Sequence, residues 1–308
     1  MLRTSLLLLL ATSAITAQDK PIKVLLVTGG CCHNYGFQKD ALIKASKDQK
    51  LNIEWKVFFD GGTGTAAQVA LYDDPDWAKG YDVVVHNECF ANTTDPEYIR
   101  RITKAHKAGA NAVVIHCAMH TYRAAKIDDW REFLGVTSRR HDHQSNYPVK
   151  VEKTDHPIMK GFPRGYKTPK DELYIIEKLW PNTQVLATSP SERDGKLHPV
   201  FWTHKYGKGR VFGTTYGHSD DTFRDPVFLK TLMRGIQWAA GRLPAKQAEP
   251  KKAKPQQQAQ SDRWDKNSDN KLARDELPAN LQSNFAQVDR DKDGFLSRDE
   301  DKVFLATS

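Results

Sequence analysis

The chain has 308 residues, 39% of them hydrophobic and 27% charged, with a formal net charge of +8. That is enough apolar residue to bury a full core and to build more than one domain. Much of the positive excess sits in PAKQAEPKKAKPQQQAQ (244 to 260), and the other basic residues are interspersed with acidic ones, with no basic–aromatic module. The charge therefore reads as solvated surface, and nucleic acid is not an expected partner.

The N-terminus, MLRTSLLLLLATSAITAQ, has one early arginine, an apolar stretch from Leu6 to Ala11 and small residues leading to Ala17. This is the pattern of a cleaved export signal over 1–17, removed after Ala17, and the run is too short for the ~20 residues that span a membrane. An exported protein, periplasmic or extracellular, with no membrane span is expected. Export makes the four cysteines, Cys31, Cys32, Cys89 and Cys117, informative. Adjacent residues such as Cys31 and Cys32 are closer than a disulfide ordinarily requires, so one bridge or none is expected.

Residues 19–243 alternate strand and helix. Ile22 to Thr28 is a continuous apolar run ending in Gly29-Gly30, the pattern of a buried parallel strand. A helix over Gly36 to Lys50 follows, then strands at Asn52 to Phe59 and Asp82 to His86. Asp95-Pro96 opens a helix ending near Gly109, with Pro in a favoured first-turn position. Ala112 to His116 is a further strand. Shorter strands are expected around 147–152, 183–188, 198–203 and 209–215, and a closing helix from Pro226 to Ala240 stops at Gly241. GGTGT (61 to 65) lacks the Lys-Ser/Thr ending of a phosphate cradle and reads as a turn. The alternation implies an α/β fold with an open, mostly parallel, flavodoxin-like sheet.

In such sheets ligands bind beyond the carboxyl ends of the strands. Three expected strands end there in Cys31-Cys32-His33-Asn34-Tyr35, His86-Asn87-Glu88-Cys89 and His116-Cys117-Ala118-Met119-His120. Three deliveries of His, with Cys or Glu beside it, point to one polar pocket. His116, His120 and Glu88 are its candidate catalytic residues. His with carboxylate suits a divalent transition ion, while neutral imidazole is also a base near neutral pH; a metal-free proton-transfer or binding pocket is the competing reading. Cys117 sits where a nucleophile elbow would place its nucleophile, but His116, Ala118 and Met119 are not the small flanking residues that turn needs, and a buried structural Cys is the alternative. Arg139-Arg140-His141-Asp142-His143 reads as a polar loop at the pocket rim or as plain surface.

In this order VLLVTGG (24 to 30), VVIHCAMH, DHPIMKGF (155 to 162), DELY (171 to 174), HPVFW (198 to 202), GKGRVFGTTYGH (207 to 218) and GIQWAAG (235 to 241) resemble the ThuA-like, or trehalose-utilisation, family over nearly the whole 19–243 segment. The resemblance implies a fold similar to class I glutamine amidotransferases and a link to sugar metabolism, in particular to glucosides oxidised to the 3-keto form. It places His33, His116, Asp171, Glu172, Tyr174 and His218 around a carbohydrate ligand, and Asn34, next to His33, joins the expected substrate-binding residues. The elbow lacks the glycines that flank an amidotransferase Cys, so glutaminase chemistry does not carry over. A keto-sugar could be isomerised through an enediol or undergo elimination of its glycosidic oxygen, both needing a base and an electrophile. A non-catalytic sugar-binding or adhesion protein on the same fold, and a Cys117-dependent hydrolase, are the alternatives.

Pro, Lys and Gln mark 244–261 as a linker, and 262–308 is a small acidic segment. It holds DKNSDNKLARDE (265 to 276) and DRDKDGFLSRDE (289 to 300), each fitting the twelve-residue EF-hand loop. The expected Ca²⁺ ligands are Asp265, Asn267, Asp269, the Lys271 carbonyl and Glu276 in the first, and Asp289, Asp291, Asp293, the Phe295 carbonyl and Glu300 in the second. Leu272 and Leu296, at position eight, could pair the loops. Leu277 to Val288 leaves room for one shared helix in a small α-helical module, a resident calcium site serving stability or docking to a cell surface or protein partner.

Overall fold

The computed structural model describes residues 20–243, 264, 266, 272–280 and 282–296. Contacts divide the chain into two compact units, Met1–Lys246 and Gln247–Ser308. The expected leader (1–17) and linker (244–261) lie outside the described residues.

The large unit runs β1 (Ile22–Gly30), α1 (Tyr35–Asp48), β2 (Ile53–Phe59), β3 (Val83–Cys89), α2 (Pro96–Ala108), β4 (Ala112–Ile115), α3 (Asp129–Leu134) and β5 (Val136–Ser145). It continues through β6 (Lys150–Val151), β7 (Asp171–Leu179), β8 (Thr183–Pro190), β9 (Leu197–Tyr206), β10 (Gly209–Thr214) and α4 (Pro226–Ala239). One eight-stranded sheet has the order β2-β1-β3-β4-β10-β9-β8-β6. From β2 to β10 neighbours are parallel; β9, β8 and β6 extend the sheet antiparallel.

Successive strand residues face opposite sides of a sheet, and the apolar runs supply a core to each. Val24, Leu26, Val83, Val85, Val113 and Ile115 meet Leu42 of α1 and Leu232 and Ile236 of α4. Leu25, Val27, Val84, Ala112 and Val114 meet Tyr98, Ile99 and Ile102 of α2 and Phe133 of α3. Helix starts follow the expected chemistry: Asp95 accepts from the Glu97 and Tyr98 amides, and Asp225 from that of Val227, each just before a proline. Residues 61–65 form the expected turn, in which Gly61 (φ 84) lies so close to Phe90 that a Cβ would stand 2.3 Å from its ring.

Two findings depart from the sequence reading. The polar 139–143 stretch is not a loop but part of β5, which pairs antiparallel with β7 in a separate two-stranded ribbon. Their register sets His141 opposite Tyr174 and Gln144 opposite Glu172, with a bulge between. All four cysteines are bonded, Cys31 to Cys32 and Cys89 to Cys117, rather than in one bridge or none. Cys31 and Cys32 keep an ordinary neighbour Cα spacing of 3.7 Å, and the bond is accommodated by a left-handed backbone at Cys32 (φ 82).

In the small unit β11 (Leu272–Ala273) pairs antiparallel with β12 (Phe295–Leu296), setting Leu272 opposite Leu296. Leu272, Leu277, Phe285, Val288 and Leu296 form a small core with Trp264 packed on it. Among the described residues the expected helix over 277–288 is confined to a 3₁₀ turn at Gln282–Asn284 and α5 (Phe285–Val288).

Candidate functional site

A cavity of about 240 Å³ opens at the carboxyl ends of β1, β3 and β4, walled by the turns after those strands and by the β5–β7 ribbon. The turn after β1 brings His33, the turn after β4 brings His116 and His120, the segment after β10 brings His218, and β7 brings Glu172 and Tyr174. One nitrogen from each of His33, His116 and His218 lies within 4.8 Å of the other two. Glu172 Oε2 stands 3.3 Å from His218 Nδ1 and 3.7 Å from His116 Nε2.

The opposite nitrogen of every ring is held. His116 Nδ1 donates to the Thr215 carbonyl at 2.6 Å, which leaves Nε2 as a lone pair 3.2 Å from the Tyr174 hydroxyl that donates to it. Gln144 Nε2 donates to His218 Nε2 at 2.8 Å; His218 Nδ1 then donates to His33 Nε2 at 3.1 Å, and His33 Nδ1 to the Tyr35 hydroxyl at 3.2 Å. Burial, reinforced by the neighbouring His218, brings His33 down to about 4, and burial takes His116 well below the usual imidazole value. His218 moves up because Glu172 accepts its hydrogen bond; Glu172 is opposed by burial but held below its usual value by His218. The site is thus a set of buried imidazoles around one carboxylate, Glu172, which pairs with His218. His116 takes a left-handed backbone (φ 46), the kind of strained conformation that folds concentrate at functional positions.

His120 lines the cavity, its Nε2 3.0 Å from Ser138 Oγ and its ring stacked on Tyr174 at 3.9 Å; burial lowers it to about 3. Besides His116, which is 1% exposed and stands behind the lining, three expected residues do not face the cavity. Asn34 caps α1, accepting from the Phe37 amide and donating to Asp220. Asp171 lies beneath, fully buried, accepting from the amides of Gly217 and His218 and from the Thr222 hydroxyl, so it fixes the segment carrying His218; burial raises it to about 6 against those hydrogen bonds.

Glu88, expected as catalytic, is the third. It is fully buried in the second core, where its Oε1 lies 2.8 Å from His86 Nδ1. The proton order there follows from the far end. His106 Nδ1 donates to the Ala110 carbonyl, so its Nε2 accepts from His86 Nε2, and His86 Nδ1 can then only accept. Glu88 must be the donor, a neutral acid. Burial pushes Glu88 well up and His86 down to about 3, in the same sense.

Cys117 is bonded to Cys89 and presents no thiol, which removes the basis for a Cys117-dependent hydrolase in this state. Sequence reading missed Thr65, Asn92 and Arg123 on the walls, and had placed His141 only as pocket rim or plain surface. The His-rich 139–143 cluster was the one visible signal for His141; its Nδ1 donates to the Asp142 carbonyl at 2.8 Å and lies 3.6 Å from Glu172 Oε2.

A second polar group lies in the small unit, where carboxylate oxygens of Asp289, Asp291 and Asp293 fall within 4.8 Å of one another. Gly294 makes the turn after them at φ 85. Glu276 accepts from the Lys266 and Ala273 amides, and Phe295 lies on β12. Asp265, Asn267, Asp269, Lys271 and Glu300 lie outside the described residues.

Together these features define an α/β protein with a flavodoxin-like sheet, related in layout to glutamine amidotransferases, whose strand-end pocket is built on histidines. The chain belongs to the ThuA family, described as trehalose utilisation, whose pattern it matches over residues 23–239. A ThuA-like protein from Parabacteroides merdae superposes with a TM-score of 0.60 at 24% identity, covering 74% of this chain and 93% of the other. A second, from Bacteroides uniformis, gives 0.55 at 17% identity, covering 74% and 94%. No curated protein sequence matches the chain. Among the described residues no helix is long and apolar enough to cross a membrane.

Proposed function

We propose that this chain is an exported carbohydrate-active enzyme that converts a keto-sugar, of the 3-keto-glucoside type, by moving a proton beside a carbonyl polarised by a divalent transition ion. The observation that carries the reading is the convergence of His33, His116, His218 and Glu172, each ring held through its other nitrogen. Metal-binding histidines are oriented in this way by outer partners, and three His with one carboxylate is a donor set for Zn²⁺ and its neighbours. His116 Nε2 already carries a lone pair. Rotating the Gln144 amide, so that its oxygen accepts from His218 Nε2, frees His218 Nδ1 as well. Held there, such an ion would polarise the carbonyl oxygen of the sugar.

His141, whose Nδ1 proton is committed to the Asp142 carbonyl, keeps Nε2 as the basic atom and takes the proton from the sugar carbon beside the sugar's carbonyl. His120, too weakly basic for that task, orders the Tyr174 ring and the wall behind it. Loss of the glycosidic oxygen and return of the proton to the adjacent carbon share this first step. Elemental analysis of the purified chain stripped of calcium tests the donor set. About one transition ion per chain is expected, lost in His116→Ala and His33→Ala with the fold retained; equal metal in wild type and both variants would sink it.

The small unit supports a separate reading, a Ca²⁺ site on the EF-hand plan. Its support is the pairing of Leu272 with Leu296, both at loop position eight, beside the gathered Asp289, Asp291 and Asp293. Trp264 packs on that small core and is a built-in reporter. Adding Ca²⁺ to the chelator-treated chain should change tryptophan emission saturably, with the affinity at least about tenfold weaker in Asp289→Ala because a charged ligand is lost. A flat titration would contradict it.

A further inference from the structure

Each disulfide is the immediate chain neighbour of a cluster histidine. Cys32 precedes His33, and Cys117 follows His116. Both turns use left-handed backbone at a non-glycine residue, Cys32 (φ 82) and His116 (φ 46). Such residues are strained and persist only where surrounding structure imposes them. Here covalent ties are at hand. The Cys31–Cys32 ring closes the turn that carries His33, and Cys89–Cys117 fastens the turn carrying His116 to the end of β3. His218 receives its equivalent from Asp171, which binds its amide and that of Gly217. All three histidine-bearing segments are therefore fixed by something other than the imidazoles.

The two disulfides differ in access. Cys32 is exposed, whereas Cys89 and Cys117 are 2% and 8% exposed. Sulfurs of Cys31, Cys32 and Cys89 lie within 4.8 Å of one another, so the outer pair stands against the inner one.

We propose that Cys31–Cys32 and Cys89–Cys117 are positioning residues for the histidine cluster, and that reduction of the exposed Cys31–Cys32 bond loosens the cluster's hold on its divalent ion. This rests on the metal reading above. The reductant is a dithiol. Its thiolate attacks Cys32 Sγ, the bond to Cys31 breaks, and Cys31 leaves as a thiolate that takes a proton from water. The second thiol then displaces Cys32, so two electrons pass to the protein and the dithiol leaves as a cyclic disulfide. Without the ring, the His33 turn relaxes from its left-handed form and its imidazole leaves the common point.

The test is a Co²⁺ titration of the full chain in excess Ca²⁺, read by the visible d–d band, with far-UV circular dichroism confirming the fold. Wild type should bind, His33→Ala should not, and the pair Cys31→Ser/Cys32→Ser should bind at least about tenfold more weakly, as does loss of an outer-shell support elsewhere. Serine cannot supply a thiolate, so no new ligand confuses the result. Binding by the serine pair within twofold of wild type overturns the positioning role and leaves the metal reading standing. A wild-type chain with no band, like His33→Ala, overturns the metal reading and this one with it. If the serine pair fails to fold, phosphine-reduced wild type replaces it. Weaker cobalt binding, restored by reoxidation, supports the proposal; unchanged binding, or an ultraviolet sulfur-to-cobalt band, overturns it.

Discussion

Glu88 shows how little a residue type says before its partners are known. It was expected just past the end of the third strand, but β3 runs on to Cys89, and alternation turns Glu88 into the second core, where the fixed proton order leaves it a neutral donor to His86. Gln can donate the same bond and Ala cannot. At about pH 4, where folded and unfolded chains both hold the Glu88 proton, Glu88→Gln should therefore cost less than about 1 kcal/mol, whereas Glu88→Ala, which strands His86 Nδ1 beside a new cavity, should cost about 2–4 kcal/mol. Neither the bond nor the carboxyl faces the pocket, so turnover by the glutamine variant should match wild type. The pH dependence has a definite sign. Below the usual value of 4.5 both folded and unfolded chains hold the Glu88 proton; above it only the folded chain does, so Glu88 costs stability as pH rises. Urea unfolding should show Glu88→Gln gaining on wild type steadily from about pH 4.5 upward. Parallel curves would mean an ionised Glu88.

At the scale of elements, close packing overrides propensity in α4. Replacing a mid-helix Gly by Ala ordinarily stabilises by about 1 kcal/mol. At Gly235 the added Cβ would stand 2.1 Å from the Phe212 ring of β10, and overpacking costs about 1–3 kcal/mol. Gly235→Ala should lower the melting temperature; a rise would show that Phe212 has room to move. The parallel strands and their helices were legible because both sheet faces are covered, which writes continuous apolar runs such as 24–27 and 112–115. The β5–β7 ribbon was not. Its outer half, Arg139 to Ser145, has no apolar alternation, and β7 begins with two acids buried because amides and histidines satisfy them. His33 and His116 were legible as strand-end residues and His218 only through the family resemblance, and their convergence depends on parallel register between distant segments. The Cys31–Cys32 bond was hidden because adjacency argued against it, and it occurs with Cys32 in a left-handed conformation that the sequence does not reveal.

Across the whole molecule, each compact unit carries its own core, and the pocket residues all fall between Cys31 and His218. Removing 244–308 should leave the large unit's unfolding free energy within about 0.5 kcal/mol, together with its transition-metal content, while abolishing the Ca²⁺ response. A large loss of stability would show that the small unit completes the pocket-bearing fold. The truncated chain also isolates the pocket chemistry from calcium. The most direct measurement is turnover of a 3-keto-glucoside by this 1–243 chain, with products followed before and after a chelator. Conversion that stops on chelation, returns with added Zn²⁺ or Co²⁺ and is missing in folded His116→Ala is the expected result. Sugar binding without conversion in every one of these conditions would contradict it, leaving a binding protein on the same fold.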